Sequence, residues 1–312
     1  MNRLQQLTAI VLFASASCLS AGESLWETNF ATAKSRAAEE KKDMLLDFTG
    51  SDWCAWCIKL RKEVFNQPGF TEAAPQNYVL VELDYPNDKS KQSAEEQSQN
   101  KDLLETYPIT GYPTVLLCDA SGKPYASTGY MEGGPEAYLP NLSKLQKHKQ
   151  ERNEAFAKAE DLQGLAKAKQ LIAGLELLEL PPAIVSAAYP EVMASIEAAD
   201  PEDVTGFASA AKAQQQLQDF LMNLGELRSK GDMEATLKYI DGKLADSSIK
   251  GDLRQQIYGH KAGTLAYANR KPEAIKVLET AIKEAPEGSH TEELKQFIDI
   301  LQKEIDRTKE SE

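Results

Sequence analysis

Two cysteines three positions apart, each preceded by a tryptophan, stand in the run Trp53-Cys54-Ala55-Trp56-Cys57. Thiols at that spacing can open and close as a working disulfide, clamp a metal, or form a merely structural pair. If Cys54 begins a helix, positions i and i+3 share one face and their Cβ atoms come close enough for a disulfide. Unpaired N–H groups and the macrodipole at that helix end favour an anion, so the Cys54 thiolate forms below the free-thiol value of about 8.5. Cys54 is then the attacking sulfur. Cys57, a turn further in, is shielded from bulky substrates yet able to resolve a mixed disulfide.

The two other readings are weaker on physical grounds. In the chain-entropy model a four-residue loop contributes only about 2 kcal/mol, so a purely stabilising bridge would use this spacing poorly. A zinc site needs about two further Cys or His ligands. The three histidines, His148, His260 and His290, lie in or beside the C-terminal half, and Cys118 falls on an apolar strand. No metal or other cofactor is expected. A lone thiol on such a strand behaves as a small buried hydrophobe, and Cys118 receives no role.

The elements that must position the cysteines are legible around them. From about Leu25 to Lys147 strand and helix signals alternate. Met44–Phe48 and Tyr78–Leu83 are short apolar runs suited to strands buried on both faces. Pro113–Cys118 is a third, closed by the turn Asp119-Ala120-Ser121-Gly122-Lys123, with Tyr125–Tyr130 as its hairpin partner. Helices are expected over about Trp26–Lys41, Cys54–Phe65 and Asn100–Tyr107, with Asp84–Asn100 as a long polar loop bordering the substrate groove. The sum is an α/β domain, a small mixed sheet with flanking helices.

Beyond residue 148 the strand signals stop and helical spacing takes over, as in Leu162, Leu165, Ala168, Leu171, Leu175 and Leu178. Breaks at Pro181-Pro182, Asp200-Pro201, Gly231-Asp232 and Lys271-Pro272 divide it into helices of ordinary length. Tyr258, Ala262, Leu265, Ala274, Leu278, Ala281 and Pro286 fit one tetratricopeptide-like hairpin. Phe220, Leu224, Leu227, Thr236 and Ile240 echo it 38 residues earlier. An irregular bundle of close-packed helices is the alternative. The expected organisation is a signal segment over 1–22, an α/β domain over 23–148, and an all-α domain over 149–312.

With 48 acidic against 35 basic side chains and a net charge of −13, the 312-residue chain repels phosphate backbones, so nucleic acid is excluded as a partner. Asn2 and Arg3, the apolar run Leu7–Leu19 and the small residues Ser20-Ala21-Gly22 read as a secretory signal. Export to the periplasm or beyond is expected. No later stretch is long and apolar enough to span a bilayer. Cys18 leaves with the signal; lipidation there is a minor alternative, since Ser15-Ala16-Ser17 lacks the leucine of a bacterial lipobox.

Taken together, Asp47-Phe48, the WCAWC run, Gly111-Tyr112-Pro113-Thr114 about 55 residues on, Val115-Leu116-Leu117 and the Ser121-Gly122-Lys123 turn resemble the thioredoxin superfamily. The nearest pattern is that of exported bacterial thioredoxin-like proteins with a WCxWC centre. The resemblance implies that Pro113 is a cis-proline facing the disulfide and that Tyr112 offers its backbone to an extended substrate. It also implies that Asp47 is the buried acid that takes the Cys57 proton.

Two departures stand out. Ala55-Trp56 replaces the Gly-Pro of ordinary thioredoxins, and the loop before Cys54 is lengthened. Trp53 and Trp56 add apolar area for binding a hydrophobic segment. The expected function is thiol–disulfide exchange on protein substrates, with a membrane or soluble redox partner and the direction of electron flow left open. The alternative is a scaffold whose helical half recruits a partner or self-associates while the α/β half is passive.

Overall fold

Met44, Leu45, Leu46 and Phe48 lose all contact with water, and the strand that carries them, β2 (Asp43–Thr49), is buried along its whole length. A continuous apolar run of that length needs cover on both faces, which makes it the middle of a sheet. In the computed structural model, which describes residues 24–311, β2 is the third of five strands. The others are β1 (Trp26–Glu27), β3 (Tyr78–Asp84), β4 (Thr114–Cys118) and β5 (Pro124–Thr128), in the order β1-β3-β2-β4-β5. β1, β3 and β2 run parallel; β4 and β5 are antiparallel neighbours. The expected signal segment and Cys18 lie outside the described residues.

Helix α1 (Phe30–Glu40) begins later than the expected Trp26. The Asn29 side chain accepts the Thr32 N–H at 2.8 Å and sets the start, while Trp26 pairs with Leu80 as a strand residue. Helix α2 (Ala55–Leu60) starts at Cys54 and continues through a π-helical turn, Arg61–Phe65; α3 is Pro68–Ala73. The largest correction concerns the polar stretch after β3. The last seven residues of the expected loop belong to helix α4 (Ala94–Thr106), opened by a reciprocal capping box in which Ser93 and Glu96 satisfy each other's backbone N–H groups.

The helices that follow are α5 (Gly134–Glu160), α6 (Gly164–Glu176), α7 (Pro182–Ala188) and α8 (Pro190–Ala199). Then come α9 (Phe207–Ser229), α10 (Met233–Ala245), α11 (Gly251–Tyr267), α12 (Lys271–Glu284) and α13 (Thr291–Ser311). Two compact units result. The first holds the sheet, the chain to Glu154 and, in addition, Gly174–Pro190; the second holds Ala155–Ala173 and the chain from Glu191 onward. The sheet unit therefore extends past His148 and takes back a later segment. Ser127 donates its N–H to the Glu179 carbonyl at 2.7 Å, and Ala126 bridges Glu179 in parallel fashion. Ile184 joins the sheet core, and the Tyr189 hydroxyl donates to the Pro124 carbonyl at 2.6 Å. This return segment covers the otherwise exposed edge of β5.

In the second unit α9, α11 and α13 pack successively on one another, while α10 and α12 pack against their sequence neighbours. The small residues Ala262, Ala274 and Ala281 are fully buried among Phe220, Ile240, Leu265 and Leu278, where a larger side chain would hold the helices apart. Among the described residues no helix is long and apolar enough to cross a membrane.

Candidate active site

The cysteines sit where a parallel strand ends and a helix begins. Cys54 is the N-cap of α2, with extended backbone, and its Sγ accepts the Cys57 N–H at 3.1 Å. It forms a disulfide with Cys57, Cα to Cα 5.2 Å. Both sulfurs are nearly covered, whereas Trp53, Trp56 and Ile58 beside them are 45 %, 57 % and 49 % exposed. A dipole-stabilised sulfur framed by exposed aromatic area is suited to docking an apolar segment and exchanging sulfur bonds with it.

The loop before Cys54 is held by acidic side chains. Asp52 accepts the N–H groups of Asn87 and Asp88 at 2.9 and 3.1 Å and the Lys91 ammonium at 3.1 Å. The backbone donors, chiefly that of Asn87, lower its pKa to about 2. Asp84 accepts both the N–H and the hydroxyl of Ser51, at 2.8 and 2.6 Å. The Trp53 indole N–H reaches the Tyr85 carbonyl at 2.8 Å. Gly50 makes this seat available, since a Cβ there would stand 2.5 Å from the Trp53 ring. The lengthened loop and the polar stretch after β3 thus build one hydrogen-bonded unit.

Trp53 meets Tyr112 edge-on, with centroids 5.5 Å apart, and Tyr112 leans on Tyr85 at 5.4 Å. The Tyr112–Pro113 peptide bond is cis. Trp56 packs with other side chains. Its ring lies 5.3 Å from that of Tyr130, with the Lys59 ammonium over both, and the Tyr130 hydroxyl donates to Glu63 at 2.6 Å. Trp53 and Tyr112 come together as one aromatic wall, then, while Trp56 forms a second with a tyrosine and a lysine that sequence reasoning did not single out.

Asp47 lies on β2, 1 % exposed. Its Oδ1 is buried with no hydrogen-bond partner, and Oδ2 is 3.4 Å from an Arg61 nitrogen. Desolvation raises its pKa to about 7, with the Arg61 charge opposing. In register beside it on β3 is Glu82, bound to the same Arg61 nitrogen at 2.9 Å. Arg61, Glu82 and Cys57 line one cavity of about 240 Å³. Tyr85, Arg61, Glu82 and Tyr130 were not singled out from the amino-acid sequence; the strand register that pairs positions 47 and 82 is the signal that could have found Glu82. Cys118 is fully buried, and desolvation holds its thiol well above the ordinary value. Among the described residues no cluster of three or more His, Cys, Asp or Glu side chains is placed to hold a metal ion.

Comparison with known proteins turns this geometry into a lineage. Residues 30–145 match the thioredoxin-like domain family. Over 117 residues the chain is 36 % identical to disulfide bond reductase DsbH of Chlamydia pneumoniae, an alignment covering 38 % of this chain and 69 % of DsbH. The chain belongs to the thioredoxin-like family. Its α/β domain is a thiol–disulfide oxidoreductase domain. It is also 31 % identical over 112 residues to thiol:disulfide interchange protein DsbD of Vibrio vulnificus strain CMCP6, covering 35 % of this chain but only 17 % of DsbD. A solved DsbH oxidoreductase structure aligns with 47 % of this chain and 94 % of its own length, at 31 % identity and a TM-score of 0.38. The family match ends at residue 145, which leaves the helical half outside it. The passive-scaffold reading of the α/β half is not favoured.

Proposed function

We propose that this protein works in the cell envelope as a reductase of disulfides in protein substrates. The observation that carries the proposal is the Cys54 sulfur, set at a helix N-cap between two exposed tryptophans. Its similarity to a relative named as a disulfide bond reductase supports the reductive direction. The signal-like N-terminal sequence supports export.

In the reduced protein the Cys54 thiolate attacks one sulfur of a substrate disulfide. A Cys54–substrate disulfide forms and the other substrate sulfur leaves as a thiolate. The Cys57 proton passes to Asp47, and the Cys57 thiolate attacks Cys54 Sγ, closing the internal disulfide and releasing the second substrate thiolate. Two electrons have moved from the Cys54-Cys57 pair to the substrate, whose thiolates take protons from water. Tyr112 and cis-Pro113 present backbone to the extended substrate, and Trp53 and Trp56 contact its apolar side chains. A membrane or soluble dithiol partner returns two electrons to the pair. The helical half, read as tetratricopeptide-like hairpins, recruits a protein partner or a second copy.

The test combines trapping with a potential. Cys57→Ala in the full chain should accumulate adducts with envelope proteins that dithiothreitol releases; their absence would falsify exchange on proteins. A reduction potential near thioredoxin's, about −270 mV, supports the reductive direction, and one near about −120 mV overturns it.

A further inference from the structure

Two carboxylates on neighbouring strands share one cation beside the resolving cysteine. Asp47 and Glu82 are register partners in the parallel pairing of β2 and β3, so their side chains leave the same face of the sheet. A single Arg61 nitrogen stands 2.9 Å from Glu82 Oε1 and 3.4 Å from Asp47 Oδ2. The shorter contact goes to the more exposed acid, and the fully buried acid keeps the longer one. The Arg61 guanidinium lies 5.1 Å from the Trp26 ring centroid, which fixes it against the strand pair. Arg61 and Glu82 line the cavity that also reaches Cys57, together with Lys62. The other charged or titratable groups felt by Asp47 are Asp84, on β3, and Tyr138, on α5. Arg61 is the only cation bonded to Asp47 among the described residues.

Building on the exchange reaction above, we propose that Arg61 is a positioning residue for the resolving step. It is held between Asp47 and Glu82 so that Glu82 draws it away from the buried acid and leaves Asp47 with high proton affinity. Asp47 then receives the Cys57 proton as Cys57 attacks Cys54 Sγ, and returns it to Cys57 when the pair is reduced again. A tight Arg61–Asp47 bond would make the carboxylate too weak a base. No cation at all would leave it protonated and unable to accept. Glu82 sets the position between these limits, a role for an acid that a surface ion pair would not have.

The two partners should therefore move the reaction in opposite directions. The full-length reduced protein is mixed with 5,5′-dithiobis(2-nitrobenzoate) across pH 5 to 9. The first release of thionitrobenzoate reports attack by Cys54, and the second reports resolution by Cys57. Arg61→Gln should move the midpoint of the second phase up by about one pH unit, the size of effect a neighbouring opposite charge exerts. Glu82→Gln should move it down by about as much. Arg61→Lys, which keeps the charge and limits the risk of misfolding, should recover most of the Arg61→Gln shift. The first phase serves as the internal control. Unmoved midpoints, or shifts of the same sign in Arg61→Gln and Glu82→Gln, overturn the proposal while leaving the exchange reaction standing. A wild-type protein with no second phase overturns the exchange reading, and this proposal with it.

Discussion

Two aspartates occupy the same seven-residue strand, four positions apart and both buried, and the protein treats them in opposite ways. Asp43 is fully partnered: its Oδ2 accepts the Tyr125 hydroxyl at 2.9 Å and its Oδ1 accepts the Lys149 ammonium, which also lies over the Tyr125 ring. Asp47 has one long contact to a shared guanidinium and one oxygen with nothing to bond. A buried carboxylate that is satisfied on every side ties strand to helix. One that is left short keeps a proton within reach at neutral pH. The unsatisfied oxygen lies on the strand that leads into the cysteine loop, and the satisfied one at the strand's far end.

The contrast can be broken most forcefully at Asp47. Asp47→Asn should slow the resolving phase by about 10³-fold at neutral pH, the central value for losing a positioned base. The same substitution should stabilise the protein. Between the usual carboxyl range and about 7 the native state holds a proton that the unfolded chain has lost, so wild-type stability falls as pH rises through that window. Above it, Asp47→Asn should be the more stable protein by about 4 kcal/mol in urea unfolding, and the gap should close toward pH 4. An unchanged resolving rate would make Asp47 as inert as Asp43.

Asp43→Ala should do the reverse. It strands Lys149 and a buried tyrosine hydroxyl, and should lower unfolding free energy by about 3 kcal/mol without moving the pH midpoint of resolution. A moved midpoint would mean that the two ends of the strand are not independent.

A smaller effect is expected at the cysteine loop. Gly50→Ala brings a Cβ against the Trp53 ring, and should cost about 1–3 kcal/mol and change the tryptophan fluorescence. Smallest is Trp53→Phe, which removes one indole N–H bond to the Tyr85 carbonyl. About 1 kcal/mol of stability is at stake, with substrate capture weakened more than resolution.

The Cys54–Cys57 pairing, the burial of Asp47 and the cis bond before Pro113 were legible because each is marked by a neighbour in the chain: the paired spacing, the Asp-Phe strand end, the Tyr-Pro-Thr strand start. The strands were legible because burial on both faces demands unbroken apolar runs. Misreadings arose where polar residues form regular structure. Ser93 and Glu96 announce α4 by their spacing, yet the helix has little apolar periodicity and its buried residues include Asn100, whose amide donates to the Asp84 carbonyl at 2.8 Å. Trp26 was drawn into a helix because nothing local shows that β3 lies beside it. Glu179 returned to the sheet edge for the same reason, through backbone bonds that no side-chain pattern records.

By itself, then, the amino-acid sequence determined the chemistry on offer: two thiols at redox spacing, a buried acid, a proline before a strand, and an α/β order that places them. Those are short-range properties, written in residue type and spacing. Only the tertiary structure decided how strongly that acid holds its proton and which aromatic rings flank the sulfur. Arg61 and Glu82 look in the chain like any charged pair on a helix and a strand. They become parts of the site because strand register and a π-helical turn bring them to one carboxylate, and electrostatic energy depends on distance and burial rather than on order along the chain.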